Sequence, residues 1–331
     1  MARISIALAI YNGEPYIKKQ LESLIEQTRP ADEVILIDDC STDKTVEVVE
    51  QFVHEHGLSH WALYQNRENQ GYKGNFYRAM EHATGDLVFL CDQDDFWHPQ
   101  KLQILERICQ EHPEILSLSS SFRMVNAQGN PLEQREETEG WSNHGLVPME
   151  VPENGLIQIP FSSILQYNMF PGCTTVIRGE LKEQYLKTSH QQMPHDWELN
   201  LLAGSEDGLY FYNQPLIDYR IHGNNTIGQS SNRHEMKFKM ESTREKRLRI
   251  VEEYLGHAQF LKKPDIQKKL PEDILRILPD YSSYLLARQA FLKTGALSMW
   301  INSLWHYPKA KAIRWIHLRH LLGDFAAVYR K

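Results

Sequence analysis

The chain has 331 residues, of which 41% are hydrophobic and 24% are charged, a composition that excludes disordered and fibrous proteins. This length is sufficient for one large domain with an appendage, or for two domains. The net charge of −7 is unevenly distributed, because residues 1–232 carry 16 Lys and Arg against 33 Asp and Glu, whereas residues 233–331 carry 20 against 10. An acidic body therefore precedes a basic tail, and the two parts are expected to have different partners.

The apolar segments and the cysteines indicate a cytoplasmic protein. No apolar run has the length needed for a signal peptide core or a membrane-spanning helix. The four cysteines have no CxxC spacing and no matching histidine pair, so we expect reduced thiols at Cys40, Cys91, Cys109 and Cys173. The basic tail has no helix-turn-helix, zinc or RNA-binding signature, and nucleic acid is therefore not an expected partner.

The first hundred residues alternate between strand patterns and helix patterns. Strands are predicted for ISIALAI, EVILIDD, HWALYQN and DLVFLCD. Helices are predicted for residues 15–28, for STDKTVEVVEQF with a cap at Ser41 or Thr42, for GNFYRAMEHATG, and for residues 100–111 after Pro99. This alternation predicts an α/β fold with a mostly parallel, Rossmann-like central sheet flanked by helices. Ligands of such sheets bind beyond the carboxyl ends of the strands.

The remainder of the chain has three parts. Residues 126–160 are polar and are interpreted either as a mobile loop over the site or as a plain solvated insertion. A second structured part follows, and from about residue 233 onward the chain is predicted to be helical. The predicted domains are therefore 1–232, with a nucleotide-binding half at about 1–112 and an acceptor half at about 113–232, and a basic helical region at 233–331.

Three carboxylates follow the fourth predicted strand, in the stretch GDLVFLCDQDDFWHP. Asp92, Asp94 and Asp95 repel one another by roughly 4 kcal/mol per pair at about 4 Å in a surface-like dielectric. Lys101 is the nearest basic residue in the sequence. Carboxylates on a short loop are ligands that suit Mg²⁺ or Mn²⁺. The alternative is a solvated turn in which Asp95 caps the next helix.

Two neighbouring strands end in polar groups as well, which favours a nucleotide pocket. The first strand ends in Tyr11 and Asn12, and the second ends in Asp38 and Asp39. The chain contains neither a GxGxxG after the first strand nor a GxxxxGK[ST] motif, so dinucleotide-binding and P-loop sites are excluded. A bound diphosphate would therefore be held mainly by a metal.

Several blocks of the sequence together resemble the family-2 glycosyltransferases with the GT-A fold. The blocks are ISIALAIYNGEPYIKKQLESLIEQT, EVILIDDCSTDKT, NQGYKGNFYRAM and GDLVFLCDQDDFWHPQKL. Further on, FPGCTTV, HDW and YRIHGNNTIG are similar to rhamnosyltransferases of bacterial surface polysaccharide synthesis, such as O-antigen. The resemblance covers roughly residues 3–230 and does not include the tail.

The resemblance implies roles for individual residues. Ala9 and Tyr11 would flank the pyrimidine base, Asp39 would bind its imide edge, Lys73 would face the nucleotide, Asp92 would contact the ribose, and Asp94 would ligate the metal. Gly172, Thr174 and Trp197 would lie on the acceptor side. His222 is either a second metal ligand or a structural loop histidine.

The same resemblance identifies Asp196 as the general base, although the family usually has a Glu-Asp pair where this chain has His195-Asp196-Trp197. A carboxylate at that position can take the proton of an attacking hydroxyl. The alternative interpretation is that Asp196 is an N-cap for a helix over residues 197–203.

The resulting hypothesis is an inverting, metal-dependent glycosyltransferase that moves a sugar, L-rhamnose from dTDP-rhamnose, to a bacterial surface glycan or its lipid-linked precursor. The base of the donor could be thymine or uracil. The alternatives are a nucleotidyltransferase that makes the sugar nucleotide, and a catalytically inactive carbohydrate-binding module. The intact Asp94 and Asp196 argue against the inactive module.

The basic tail suggests a further partner. Its last helix is predicted to align the apolar side chains of Trp315, Leu318, Leu322, Phe325 and Tyr329 in one stripe. Basic residues combined with such a stripe suit a helix that lies on anionic lipid at the inner face of the membrane. The stripe is also compatible with packing against the catalytic domain or against a second subunit in a homo-oligomer.

Overall fold

The computed structural model describes residues 1–132, 140–165, 167–223, 243–311 and 316–329. The chain divides into two compact units. The first unit comprises Met1–Ile164, Asn168–Gln191 and His195–Gln229, and the second comprises Leu165–Tyr167, Gln192–Pro194 and Ser230–Lys331. The domain boundary predicted at 232/233 lies outside the described residues.

The first unit is built on a nine-stranded sheet. Its strands are β1 (Ile4–Ile10), β2 (Glu33–Asp38), β3 (Trp61–Gln65), β4 (Leu87–Asp92), β5 (Phe96–Trp97), β6 (Ser117–Asn126), β7 (Leu156–Gln158), β8 (Thr175–Arg178) and β9 (Leu209–Ile221). Its helices are α1 (Ile17–Ile25), α2 (Thr45–Glu55), α3 (Gly71–His82), α4 (Lys101–Glu111), α5 (Phe161–Ile164), α6 (Gly179–Thr188) and α7 (His195–Ser205). A 3₁₀ turn at Gly172–Thr174 precedes β8.

The order of the strands is β3-β2-β1-β4-β8-β6-β9-β5, with β7 paired to β9. β1 runs parallel to both β2 and β4, and β2 runs parallel to β3, so their carboxyl ends lie at one edge. The registers place Ala9 of β1 opposite Ile37 on one side and opposite Asp92 on the other. Strands β1, β2 and β4 are apolar on both faces and almost entirely buried, as expected where helices cover both faces of a parallel sheet. The predicted α/β architecture is confirmed.

The predicted cap of α2 is wrong. The helix begins at Thr45, and Lys44 precedes it without a side-chain cap. The hydroxyl of Ser41 instead accepts a hydrogen bond from the backbone N of Asn12 at 2.8 Å, and the backbone N of Thr42 donates to Asn12 Oδ1 at 2.7 Å. Ser41 and Thr42 are thus hydrogen-bonded to the loop after β1, and helix α2 begins after them, at Thr45.

The interpretation of residues 126–160 as a mobile loop or solvated insertion is also wrong for their described part. β7 pairs antiparallel with β9, and Ser142 forms a bridge with Val147. The side chains of Val147 and Val151 are buried. The apolar residues in this polar stretch are too widely spaced to form a periodic pattern, but they pack in the folded chain. Residues 133–139 lie outside the described part.

The second unit is helical throughout its described residues. Its helices are α8 (Arg244–Leu261), α9 (Pro264–Gln267), α10 (Glu272–Thr294), α11 (Leu297–Ala310) and α12 (Leu318–Tyr329). The carboxylate of Asp324, on α12, accepts hydrogen bonds from Arg247 of α8 at 3.0 Å and from Arg288 of α10 at 2.7 Å. All three side chains are buried, so this charge cluster fastens α12 to its two neighbours. No helix in the described ranges is long and apolar enough to cross a membrane.

Candidate active site

The loops after β1 and β4 are tied together at the carboxyl edge of the sheet. Gln93 Nε2 donates to the carbonyl oxygen of Tyr11, and Gln93 Oε1 accepts from the backbone N of Tyr11, both at 2.8 Å. A Cβ at Gly13 would lie 2.3 Å from Gln93 Oε1, so glycine permits this close approach. The side chain of Tyr11 is left 47% exposed beside the edge that contains Ala9. An exposed aromatic ring on a fixed backbone can bind the face of a planar base.

The carboxylate of Asp39 is buried and is fixed by amide groups. Its Oδ1 accepts from Asn66 Nδ2 and from the backbone N of Gln70, both at 2.7 Å. Gln70 immediately precedes α3, and Lys73 lies in the first turn of that helix. The structure therefore brings Asp39 and the segment of Lys73 to the same end of the sheet, as predicted.

Asn75 and Asn66 were missed by sequence reasoning, although both contribute to this end of the sheet. Asn75 Nδ2 donates to the carbonyl oxygens of Ile10 and Ile37 at 3.2 and 2.9 Å, and thereby links β1 to β2. Its Oδ1 accepts from Asn66 at 3.1 Å. The sequence offers one signal for Asn75, which is its amide side chain within the block GNF. Periodicity alone does not distinguish this residue from a surface residue.

We expect Asn75→Ala to destabilise the protein by about 1–3 kcal/mol, because it leaves the buried amide of Asn66 and two strand-end carbonyls with fewer partners. The free energy of unfolding, measured by denaturant titration, tests this. Asn302→Ala, at an exposed position of α11, is the matched control and should change stability by less than about 0.5 kcal/mol. Equal stabilities of the two variants would contradict the linking role.

The acidic residues after β4 form a cluster with Cys173. One ligand atom from each of Asp92, Asp95 and Cys173 lies within 4.8 Å of the others. Burial, together with repulsion by Asp94 and Asp196, raises the pKa of Asp92 to about 7. Asp95 Oδ1 accepts from the backbone N of Arg220 at 3.0 Å, whereas its buried Oδ2 has no hydrogen-bond partner among the described residues. The cluster therefore has a carboxylate oxygen available for a positive ligand.

Asp94 and His222 lie side by side, although they are 128 positions apart. His222 Nε2 lies 2.7 Å from Asp94 Oδ2. The imidazole stacks on the ring of Tyr16, with 4.4 Å between the centroids, which fixes its plane. Arg220 Nε donates to the backbone oxygen of Asp94 at 2.6 Å and so connects the end of β9 to the loop after β4. A carboxylate and an imidazole fixed side by side can share one cation.

Lys101 supplies positive charge beneath this cluster. Its side chain is fully buried, its Nζ donates to the backbone oxygen of Cys173 at 2.5 Å, and it lies 3.8 Å from the ring centroid of Trp97. Burial lowers the pKa of Lys101 to about 8, and the neighbouring carboxylates oppose that shift. Lys101 offsets part of the negative charge of the cluster. Burial and the repulsion among the carboxylates raise the pKa values of Asp92 and Asp95, so uptake of a proton or of another positive ligand is favoured there.

Asp196 lies in the first turn of α7, next to the Gly172–Thr174 turn. Its Oδ1 accepts from the backbone N of Trp197 at 2.8 Å, and the backbone N–H of Gly172 and the side chain of Asn168 also donate to the carboxylate. Burial raises the pKa of Asp196 to about 6. The helix begins at His195, so the interpretation of Asp196 as its N-cap residue is wrong.

The other predicted acceptor-side residues shape the surroundings of Asp196. A Cβ at Gly172 would lie 2.9 Å from His195 Nε2, so a larger residue would displace the imidazole next to Asp196. Thr174 is buried, and its hydroxyl donates to the oxygen of Pro171 at 2.7 Å. Trp197 is buried as well, and its indole N–H donates to the oxygen of Ile164 at 3.2 Å. Thr174 and Trp197 therefore stabilise this region through their own packing.

Comparisons with known proteins identify relatives in sequence and in structure. Residues 5–166 match the family model described as Glycosyl transferase family 2. The poly(ribitol-phosphate) beta-N-acetylglucosaminyltransferase TarS of Staphylococcus aureus (strain Mu50 / ATCC 700699) is 32% identical over 140 residues, which are 42% of this chain and 24% of TarS. The chain thus matches about a quarter of that relative. The dTDP-rhamnosyl transferase RfbG of Shigella flexneri is 25% identical over 238 residues, 67% of this chain and 73% of RfbG.

Solved structures show the same fold. S. aureus TarS 1-349 in complex with UDP-GlcNAc covers 98% of this chain and 91% of its own, with a TM-score of 0.54 at 18% identity. The mannosyltransferase PcManGT from Pyrobaculum calidifontis, in complex with GDP-Man and Mn2+, covers 100% of this chain and 88% of its own, with a TM-score of 0.54 at 17% identity. The predicted GT-A fold is confirmed. The family match covers residues 5–166, just under half of the chain, and the solved structures support the fold.

Proposed function

We propose that the protein is an inverting, metal-dependent glycosyltransferase that moves L-rhamnose from dTDP-rhamnose to a bacterial surface glycan or its lipid-linked precursor. The observation that supports it most is the proximity of the two proposed halves of the site. The backbone N–H of Gly172 donates to the Asp196 carboxylate, and the thiol of the next residue, Cys173, lies within 4.8 Å of ligand oxygens of Asp92 and Asp95. The short turn at Gly172–Thr174 therefore connects the proposed base to the proposed donor-binding carboxylate. The similarity to RfbG favours rhamnose as the sugar.

The donor set fits a divalent cation. Asp94 and His222 are the residues that would hold it, since carboxylate and imidazole suit Mn²⁺, and Mg²⁺ also takes carboxylates. The buried Oδ2 of Asp95 and the raised pKa values of Asp92 and Asp95 are consistent with a positive ligand, a cation or a proton, at this cluster. Cys173 is a poorer ligand, because burial raises the pKa of its thiol well above the usual value and thiolate is the ligating form. When bound, such a cation neutralises charge on the diphosphate leaving group.

The nucleobase of the donor is assigned to the edge of the sheet that contains Ala9, Tyr11 and Asp39. Asn66 and Gln70 both bind Oδ1 of Asp39, and we assign Oδ2 to the imide N–H of thymine or uracil. We assign the ring of Tyr11 to the face of the base, Lys73 to the nucleotide, and Asp92 to the ribose.

Asp196 is assigned as the general base. The acceptor oxygen attacks the anomeric carbon, the bond from that carbon to the diphosphate oxygen breaks on the opposite face, and the hydroxyl proton passes to the Asp196 carboxylate. The donors from Gly172, Asn168 and Trp197 orient the carboxylate. Its raised pKa makes it a stronger base than a solvated aspartate, and it remains largely ionised at neutral pH.

The test of this function is donor turnover by the purified chain. We expect hydrolysis or transfer with dTDP-rhamnose in Mg²⁺ or Mn²⁺, loss of that activity with a chelator, and recovery when metal is added back. UDP-GlcNAc and GDP-mannose are the comparison donors. Formation of a sugar nucleotide from a nucleoside triphosphate and a sugar phosphate would instead establish a nucleotidyltransferase. A chain that binds glycan but turns over no donor would be an inactive module.

We expect the rate to depend on the ionisation of Asp196. Because only the carboxylate form accepts a proton, and burial raises the pKa of Asp196 to about 6, kcat/KM for the acceptor should rise with pH through about 6 and level off above it. A pH–rate profile at saturating donor measures this, with Asp196→Asn as the control that lacks the step. A rate that falls between pH 5 and about 7 would contradict the assignment.

A further inference from the structure

The second unit exposes an apolar surface on its last two described helices. On α12, Leu318, Leu322, Phe325 and Tyr329 recur at helical spacing, and all four are exposed, Leu322 by 57%. On α11, Leu297, Ile301 and Trp305 form a second exposed stripe, in which Trp305 is 81% exposed. We call these seven side chains the α11–α12 apolar surface. Trp315, which was predicted to extend the stripe, lies outside the described residues.

The two stripes belong to helices that pack side by side. The indole N–H of Trp300, which flanks the stripe of α11, donates to the oxygen of Leu321 at 2.9 Å. The ring of Trp300 lies 5.2 Å from that of Phe325. On α12, His320 and Leu321 are buried, whereas the stripe of Leu318 and Leu322 is not. Phe325 and Tyr329 also contact the buried ring of Phe291, so they pack partly into the unit and remain 38% and 49% exposed. Exposed apolar residues that form a contiguous patch mark interaction sites.

The sequence segment that carries this surface has almost only positive charges, although Glu252 of α8 lies 3.1 Å from Lys293. Residues 293–331 contain seven basic residues: Lys293, Lys309, Lys311, Arg314, Arg319, Arg330 and Lys331. They contain one acidic residue, Asp324, which is fully buried and bound to Arg247 and Arg288. Lys309 also contacts Asp280 of α10 at 3.2 Å. The segment that contains the α11–α12 apolar surface thus has no exposed carboxylate among its described residues.

We propose that the α11–α12 apolar surface binds the interface of an anionic lipid membrane. Exposed Trp, Phe and Leu side chains surrounded by Lys and Arg suit helices that lie in the headgroup region, and each Lys or Arg near such a surface adds about 1 kcal/mol. A second copy of the chain is a poorer occupant. A two-fold contact through the same surface would bring together two copies of a segment that contains seven basic residues and one buried acidic residue.

This proposal does not depend on the glycosyltransferase assignment, and its test does not use activity. Co-sedimentation of the full chain should show binding to vesicles that contain phosphatidylglycerol and little binding to phosphatidylcholine alone. Binding should weaken as salt is raised, since screening shortens the range of the charges. Binding that is equal for both lipids and insensitive to salt, or no binding to either, would overturn the proposal.

Two pairs of variants test the surface itself. Leu318→Gln with Leu322→Gln should weaken binding by about tenfold or more, through lost apolar burial. The control pair, Ile25→Gln with Leu275→Gln, removes two other exposed apolar residues and should leave binding unchanged. Lys311→Gln with Arg319→Gln should weaken binding roughly 25-fold, at about 1 kcal/mol per charge. Lys18→Gln with Lys19→Gln removes the same net charge from the exposed side of α1 and should have little effect.

A fluorescence experiment and a mass measurement complete the test. Brominated lipid should quench the tryptophan emission of the wild type, and Trp305→Phe should remove part of the quenched signal. Molar mass from light scattering should show no dimer that depends on Leu318 and Leu322. A dimer that dissociates in the leucine pair, together with no vesicle binding by the wild type, would assign the surface to a second copy. Equal effects of each test pair and its control would also overturn the proposal.

Discussion

Asp196→Asn is expected to lower kcat by roughly 10²–10⁴-fold while the affinity for the nucleotide diphosphate stays nearly unchanged. The amide keeps the size of the side chain and retains an oxygen that can accept from Trp197 N, so the turn around Gly172 should persist. What it lacks is the ability to take the proton of the acceptor hydroxyl. Steady-state kinetics and calorimetry of nucleotide binding measure the two quantities separately.

Asp273→Asn is the matched control for this substitution, since Asp273 is exposed at the start of α10 and should tolerate the change without loss of rate. Loss of nucleotide binding by Asp196→Asn would place Asp196 on the donor side. An unchanged kcat would show that another group accepts the proton. The pH step expected near 6 should disappear in the variant, a result that a purely structural role of Asp196 would not produce.

Asp94→Ala should weaken the metal-dependent binding of the nucleotide diphosphate by at least about 100-fold, because the charge stabilisation that a bound cation supplies amounts to several kcal/mol. The substitution removes the carboxylate oxygen that lies 2.7 Å from His222 Nε2. Calorimetry with and without Mn²⁺ measures the loss, and any binding that does not need metal should remain.

Two further variants separate charge from packing at this position. Asp94→Asn keeps the volume and a hydrogen-bond acceptor for His222, so a loss comparable to that of Asp94→Ala would assign the effect to the charge. Asp265→Asn, at an exposed position of α9, is the control and should bind as the wild type does. If Asp94→Ala retained full metal-dependent binding, the cation would have to be assigned to Asp92 and Asp95 instead.

Local patterns determined the scaffold of the first unit. Strands β1 to β4 and helices α1 to α4 lie within a few residues of the stretches predicted from periodicity, because each buries an apolar face that is visible within one segment. The convergence of Tyr11, Asp39 and Asp92 at one edge followed from the same reasoning, since parallel strands joined by helices must end on the same side. The α2 cap was missed because Ser41 and Thr42 bind a loop some 30 positions away.

The pairing of Asp94 with His222 was anticipated only through a family resemblance, because no local pattern relates residues 128 positions apart. The tertiary structure alone decided what surrounds the acidic cluster. Lys101 reaches Cys173 across 72 positions, and Asn75 joins the ends of β1 and β2 from a helix. The tertiary structure also decided which side of α12 faces outward. The periodicity of the sequence showed an apolar stripe on this helix. The burial of Asp324 against two arginines showed that the other side of the helix faces inward. Periodicity reports that a helix has two faces, but only the packing of its neighbours determines which one reaches solvent.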